Sequence, residues 1–191
     1  MLLTIVVGVT IAVVAGLLVF PGETAFLINY VGDTLYTLTT SEETRLQQLE
    51  PETQTTIRAL IQNLANDGLT IHVGQTLRST AEERAAIDSG LSAIKSHSWH
   101  EIGRAADLYP INPDTGQADT QGVRDDLFIQ MQQAAVALGL RQIAYNDDWS
   151  RRYITNAQGK KIWDGGHMEN HGPYATIAEA IAAEGATYGI G

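Results

Sequence analysis

The sequence predicts an α+β domain, a small antiparallel sheet with flanking helices, preceded by an N-terminal hydrophobic helix of the transmembrane type. Three observations lead there. Apolar residues recur at helical spacing in several segments, short alternating runs stand between them, and the order shows no βαβ rhythm. Long loops marked by Gly and Pro separate the elements. The opening stretch, Met1 to Phe20, carries no charged side chain.

That opening stretch is the first element. About 20 apolar residues, at roughly 1.5 Å each, span a hydrocarbon core of roughly 30 Å. The first basic residue is Arg45, so the basic region of a cleaved signal peptide is missing. Gly8, Ala12, Ala15 and Gly16 make the segment small-sided and weakly apolar. Residues 1–20 therefore read as a membrane or signal-anchor-like helix, the alternative being a buried first helix or a strand pair of the core. Residues 21–40, opened by Pro21-Gly22, read as a connector, and residues 41–191 as the main domain.

Within that domain, Thr40-Ser41-Glu42-Glu43 has the pattern of a capping box. Pro51 starts a helix, Ile57, Leu60, Ile61 and Leu64 form its apolar stripe, and Gly68 stops it. Leu69 to Val73 alternates as a half-buried strand, with His72 facing outward. Ser79 and Glu82 open a helix running to about Ile94. Pro110 to Gly122 reads as a loop turning at Pro113-Asp114-Thr115-Gly116. Val123, Leu127, Met131, Ala134, Ala135 and Leu138 mark one face of a helix closed by Gly139. Ile143 and Tyr145 lie on a strand, Asn156 to Gly159 is a turn, and Thr176 with Glu179 caps a last helix reaching about Glu184.

Composition narrows the function. Lys and Arg number 12 against 22 Asp and Glu, a formal charge of -10. A chain this acidic is repelled by phosphate backbones, so nucleic acid is excluded as a default partner. Recognition of an anionic wall or membrane surface then needs a shaped site. There is no cysteine, which removes disulfides, thiolate metal sites and cysteine nucleophiles together. A transition metal must be held by His and carboxylates.

Such residues cluster in Ser98-Trp-His100-Glu-Ile-Gly103-Arg-Ala105-Ala-Asp107. On a straight helix, a His and an Asp seven apart would sit about 10 Å apart along the axis. They converge only if the chain turns between them, and Gly103 is a permissive place to turn. Trp163-Asp164-Gly165-Gly166-His167 offers a second His with a carboxylate three residues before it. Two His and one Asp give zinc three protein ligands and leave a fourth position for water. Zinc lowers the pKa of that water and polarises a carbonyl, and a free carboxylate must then move the proton. Asp164 is the candidate; orienting a ligand is its alternative role. His72 and His97 fit no ligand position, and the glycines around His167 and His171 argue against a helical metal pair there. Trp99, Trp149 and Trp163 read as packing walls, or alternatively as sugar platforms.

These residues resemble the DD-peptidase family of zinc enzymes, which includes D-Ala-D-Ala carboxypeptidases, D-Ala-D-Ala dipeptidases and phage L-alanyl-D-glutamate endolysins. The family pattern S-x-H-x-x-G-x-A-x-D runs complete from Ser98 to Asp107, and (D/E)-x-x-H is met by Asp164 and His167. The resemblance covers roughly residues 50–170. It implies Zn2+ held by His100, Asp107 and His167, Asp164 as acid/base, and Arg78 contacting a peptidoglycan stem peptide near the scissile group. Gln75-Thr76-Leu77 stands where Ser-Gly-Tyr is usual before that Arg, so a solvated surface role for Arg78 stays open. Gly165-Gly166 replaces prolines common before the last His, which predicts a looser loop. Aspartate at position 164 resembles the endopeptidase branch, implying L-Ala-D-Glu cleavage. A membrane-anchored D-Ala-D-Ala carboxypeptidase and a non-catalytic zinc-binding structural member are the alternatives. The expected location is membrane-associated through residues 1–20, with the catalytic domain facing the periplasm or wall, in a chain of bacterial or phage origin.

Overall fold

The computed structural model describes residues 16–18, 26–31, 34–92, 94 and 96–190. Strands β1 (Gly16–Leu18), β2 (Phe26–Val31) and β3 (Thr34–Thr39) form a three-stranded antiparallel sheet in that order. The segment expected to be a connector thus contains a paired hairpin. The expected transmembrane-type helix over residues 1–20 lies outside the described residues except at β1, where the backbone is extended. Gly16 is a poor helix residue, and the neighbouring strand offers its backbone ladder partners. Among the described residues no helix is long and apolar enough to cross a membrane.

Helix α1 (Thr40–Gln47) follows β3 directly. Its capping box is Thr39 with Glu42, one residue earlier than the pattern Thr40–Glu43 suggests. Glu42 decides the register, because its carboxylate also accepts from the Val73 amide at 3.0 Å and meets His72 at 2.7 Å. Helix α2 (Pro51–Asn66) starts at its proline, with the Glu50 carboxylate accepting from the Glu52 and Thr53 amides. Its stripe of Ile57, Leu60, Ile61 and Leu64 is fully buried, each side chain contributing about 1.5–3 kcal/mol.

Strand β4 (Ile71–Val73) leads to α3 (Thr80–Asp88), which ends at Ser89-Gly90, short of the expected Ile94. A 3-10 turn (Trp99–Ile102) precedes β5 (Ala105–Asn112), β6 (Gln117–Ala118), α4 (Asp125–Ala137) and β7 (Arg141–Gln142). Then come β8 (Ile154–Thr155), β9 (Lys161–Ile162), β10 (His167–Glu169), α5 (Ile177–Glu184) and a closing 3-10 turn (Gly185–Tyr188). The central sheet runs β4-β5-β10-β7, with β6 paired to β5, and every pairing is antiparallel. The fold is therefore α+β, as expected.

Two local expectations need correcting. Pro110 lies inside β5, opposite Ile71, instead of opening a loop. It lacks only a donor, and its carbonyl still accepts from the Asp119 amide at 2.9 Å. Val123 is 75% exposed and precedes α4. Asp119 accepts from the Val123 and Arg124 amides at 2.9 and 2.6 Å, so the chain turns there before the helix begins.

The main core joins α2, α4 and one face of the sheet through residues including Leu60, Leu64, Phe128, Met131, Leu108 and Met168. A smaller core places Ala180 and Ile190 against Trp99, Ile102 and Ala105. Buried Arg104 ties this layer together, its guanidinium donating to Glu184 at 2.8 and 3.0 Å.

Candidate metal centre

Asp107 and His167 sit directly opposite each other on β5 and β10. Facing residues of an antiparallel pair hold their Cβ atoms about 4.5–5.5 Å apart, close enough to share a ligand. The intervening strand residues Ala106 and Met168 point into the core and are fully buried. Alternation therefore sends Asp107 and His167 to the opposite face together.

His100 arrives from the 3-10 turn. Ser98 caps that turn by accepting from the His100 amide, and the Glu101 carboxylate reaches back to the Ser98 amide. Gly103 ends it at φ +65, the left-handed conformation that reverses the chain into β5. The turn predicted at Gly103 is thus present. A side chain could not follow it there: a Cβ would stand 2.9 Å from the Glu50 nitrogen and 3.1 Å from the Gln48 oxygen.

The three donor atoms form a nearly equilateral triangle. His100 Nε2 lies 3.2 Å from His167 Nδ1 and 3.3 Å from Asp107 Oδ1, and His167 Nδ1 lies 3.2 Å from the same oxygen. Ligands at about 2.0–2.1 Å in tetrahedral array stand about 3.3–3.4 Å apart, so the triangle has the right size for zinc. The imidazoles are aimed correctly as well. His100 Nδ1 donates to the Thr76 carbonyl at 2.7 Å, which leaves Nε2 as the acceptor. The residues present fit the ion.

Charge agrees with geometry. Burial pushes the Asp107 carboxyl up, but the two imidazoles outweigh it and hold the group well below the usual carboxylate range. Burial works against a charged His167, yet its hydrogen bonds to the Asp107 and Glu169 carboxylates and the Asp164 charge raise it well above an ordinary imidazole. The site attracts positive charge. Asp164 behaves differently: burial, reinforced by repulsion from Asp107, raises its pKa despite the opposing His167, His100 and Arg78.

The triangle lies in a cleft of about 240 Å³, whose other walls include Gln75, Arg78, Leu91, Tyr109, Ile143 and Asp164. All five residues expected from the sequence therefore meet in one place. Arg78 is held by an ion pair with buried Glu83 and by Gln75 at 2.7 Å, with Asp107 Oδ2 3.8 Å from its guanidinium. The Asp164–His167 loop, expected to be loose, is held on both sides. Buried Gln132 donates to the Gly165 carbonyl at 2.7 Å, and a Cβ on Gly165 would stand 2.3 Å from the Trp163 ring. Trp163 itself packs edge-on to Phe128, donates to the Ala144 carbonyl at 2.9 Å and lies under Arg151. Trp163 packs against the core, as expected, but stands behind the loop and not among the residues that line the cleft.

His72 and His97 stay outside the centre, paired with Glu42 and Glu101. The sequence reading missed Thr76, Gln132, Tyr109 and Glu169. On a strand, Glu169 shares a face with His167 two residues before it, but β10 is too short and too uniformly buried to be read from sequence.

Comparison with known proteins bears on this geometry. The crystal structure of Serratia marcescens L-Ala D-Glu endopeptidase ChiX is similar at a TM-score of 0.51 with 19% identity, covering 75% of this chain and 92% of that one. VanYB in complex with D-alanine-D-alanine matches at a TM-score of 0.44 and 15% identity, over 72% of this chain and 78% of that one. The E175A mutant of the D,D-pentapeptidase VanY from the VanB-type resistance cassette, in complex with Zn(II), matches at 0.44 and 14%, over 73% and 83%. No curated protein matches the chain. A family profile described as phage L-alanyl-D-glutamate peptidase matches residues 35–170, which span β3 to β10 and contain the whole donor triangle, and the chain therefore belongs to that family.

Proposed function

We propose that the chain is a zinc peptidase that cleaves the L-Ala-D-Glu bond of peptidoglycan stem peptides, with His100, Asp107 and His167 as metal ligands. The observation that carries this reading is the donor triangle with sides of 3.2 to 3.3 Å at the floor of an open cleft. Three protein ligands and an open side are the mark of a catalytic site, since structural zinc sites are closed by four. Zinc held there supplies a Lewis acid that acidifies water and polarises an amide carbonyl.

The remaining chemistry belongs to side chains. Asp164 takes a proton from the attacking water and returns it to the leaving amine, a role suited to a carboxyl whose pKa lies above the ordinary value. Arg78, braced by Glu83, presents its guanidinium at the cleft wall to a substrate carbonyl or carboxylate. Tyr109 stays protonated, since burial and the Asp107 and Asp164 charges both raise its pKa, so its hydroxyl keeps a proton to donate. Family membership supports a phage-derived, wall-acting role.

The test is mass spectrometry of sacculi treated with the wild type and with Asp164→Ala. Wild type is expected to expose new amino groups on D-Glu, and the variant to keep one zinc while turnover falls at least 100-fold. Released D-Ala would instead assign a carboxypeptidase, and sacculi left intact by a zinc-loaded wild type would assign a non-catalytic binder. Equal activity of the two proteins would remove Asp164 from the reaction.

A further inference from the structure

We propose that Glu169 is a positioning residue that sets the His167 tautomer and clamps together the two segments bringing His100 and His167 to the metal. The inference rests on the zinc reading above and concerns a carboxylate outside the ligand set.

Glu169 follows His167 by two on β10 and shares its face of the sheet. Its two oxygens are used separately. Oε1 lies 3.0 Å from His167 Nε2, and Oε2 lies 2.7 Å from His171 Nε2. A carboxylate can only accept, so both imidazoles must carry their proton on Nε2. In the neutral form that binds a metal, His167 then turns its Nδ1 lone pair toward His100 Nε2 and Asp107 Oδ1. The two ligand imidazoles are thus set in opposite tautomers, His100 by the Thr76 carbonyl and His167 by Glu169.

The second oxygen extends the effect. His171 stacks on Trp99 with ring centroids 4.1 Å apart and planes 21° apart. Trp99 is the first residue of the turn that carries His100. One carboxylate therefore links β10 to that turn, through a chain of Glu169, His171 and Trp99. Partners that orient a metal-bound imidazole are worth about 10–100-fold in metal affinity.

The probe is zinc itself, titrated against a chromophoric chelator, together with 15N shifts of the histidine ring nitrogens. Glu169→Gln keeps the shape but has one acceptor oxygen for two N–H groups; Glu169→Ala has none. The expected result is a zinc affinity lowered about 10–100-fold in Glu169→Ala and less in Glu169→Gln. In the zinc-loaded protein, His167 should carry a pure Nε2–H signal in the wild type and a mixed one in both variants. If the alanine variant fails to fold, the glutamine variant and His171→Phe, which keeps the stack on Trp99, decide the matter. His171→Phe should preserve the His167 tautomer yet weaken zinc. Folded variants with wild-type affinity and an unchanged Nε2–H signal would overturn the proposal. A wild type that binds no zinc would instead sink the metal reading.

Discussion

Gly103→Ala isolates what the motif glycine does. Alanine at φ +65 incurs the left-handed penalty of about 1–2 kcal/mol. The new Cβ would also sit 2.9 Å from the Glu50 nitrogen and 3.1 Å from the Gln48 oxygen, backbone atoms that no rotamer change can move aside. Relief requires separating the Glu50 amide from the Gly103 carbonyl, now 2.9 Å apart. Losing that bond costs about 1 kcal/mol, and overpacking adds about 1–3 kcal/mol. The total is about 3–6 kcal/mol. Gly68→Ala supplies the control: its φ is +81, and its Cβ would meet nothing within 4 Å. Only the conformational penalty of about 1–2 kcal/mol applies there. At about 2–4 °C per kcal/mol for a domain of this size, thermal unfolding followed by circular dichroism should show a Tm loss of roughly 10 °C for Gly103→Ala and a few degrees for Gly68→Ala. Equal losses in the two variants would refute the close-approach argument, leaving Gly103 as an ordinary turn glycine.

Other outcomes follow from the same structure. Burial would raise the Glu42 pKa, but hydrogen bonds from His72, Thr39 and the Val73 amide hold it at about 2, against an ordinary 4.5. Its contribution to stability is complete above pH 4.5 and is lost as pH falls towards 2. Glu42→Gln should therefore melt well below wild type at pH 7, with the gap narrowing between pH 4.5 and pH 2.5; a gap that widens with acid would contradict the pairing. Gln132→Leu strips the Gly165 carbonyl of its donor, which should cost about 1–3 kcal/mol in urea unfolding. Because Gly165 adjoins Asp164, kcat should fall further than zinc content; unchanged kcat would show that the loop holds its shape without Gln132.

Much of the site was legible because its motif encodes geometry. His100, Gly103 and Asp107 are spaced so that one left-handed residue turns a capped helical turn into a strand, and the structure places Gly103 at that point. Asp164 and His167 were readable as a pair, but their pairing partner was not. Strand β10 has three residues and is buried throughout, leaving no alternation to detect; with the strand unseen, Glu169 had no face to belong to. The two-residue strands β8 and β9 are equally silent, and β7 (Arg141–Gln142) ends just before the strand expected at Ile143 and Tyr145. Thr39 and Thr40 each have a Glu three residues on, so composition cannot choose between two capping registers. Contacts 31 residues away, from Glu42 to Val73, choose. The contacts around Gly165-Gly166 were hidden for a related reason. Those glycines make room for the rings of Trp163 and Tyr109, which only the folded chain brings there.

The most direct test is a crystal of the zinc-loaded protein, with anomalous data collected on both sides of the zinc edge. One peak per chain is expected, about 2.0–2.2 Å from His100 Nε2, Asp107 Oδ1 and His167 Nδ1, and it should vanish in His100→Ala. A peak elsewhere, or stem-peptide hydrolysis by protein carrying no metal, would contradict the account.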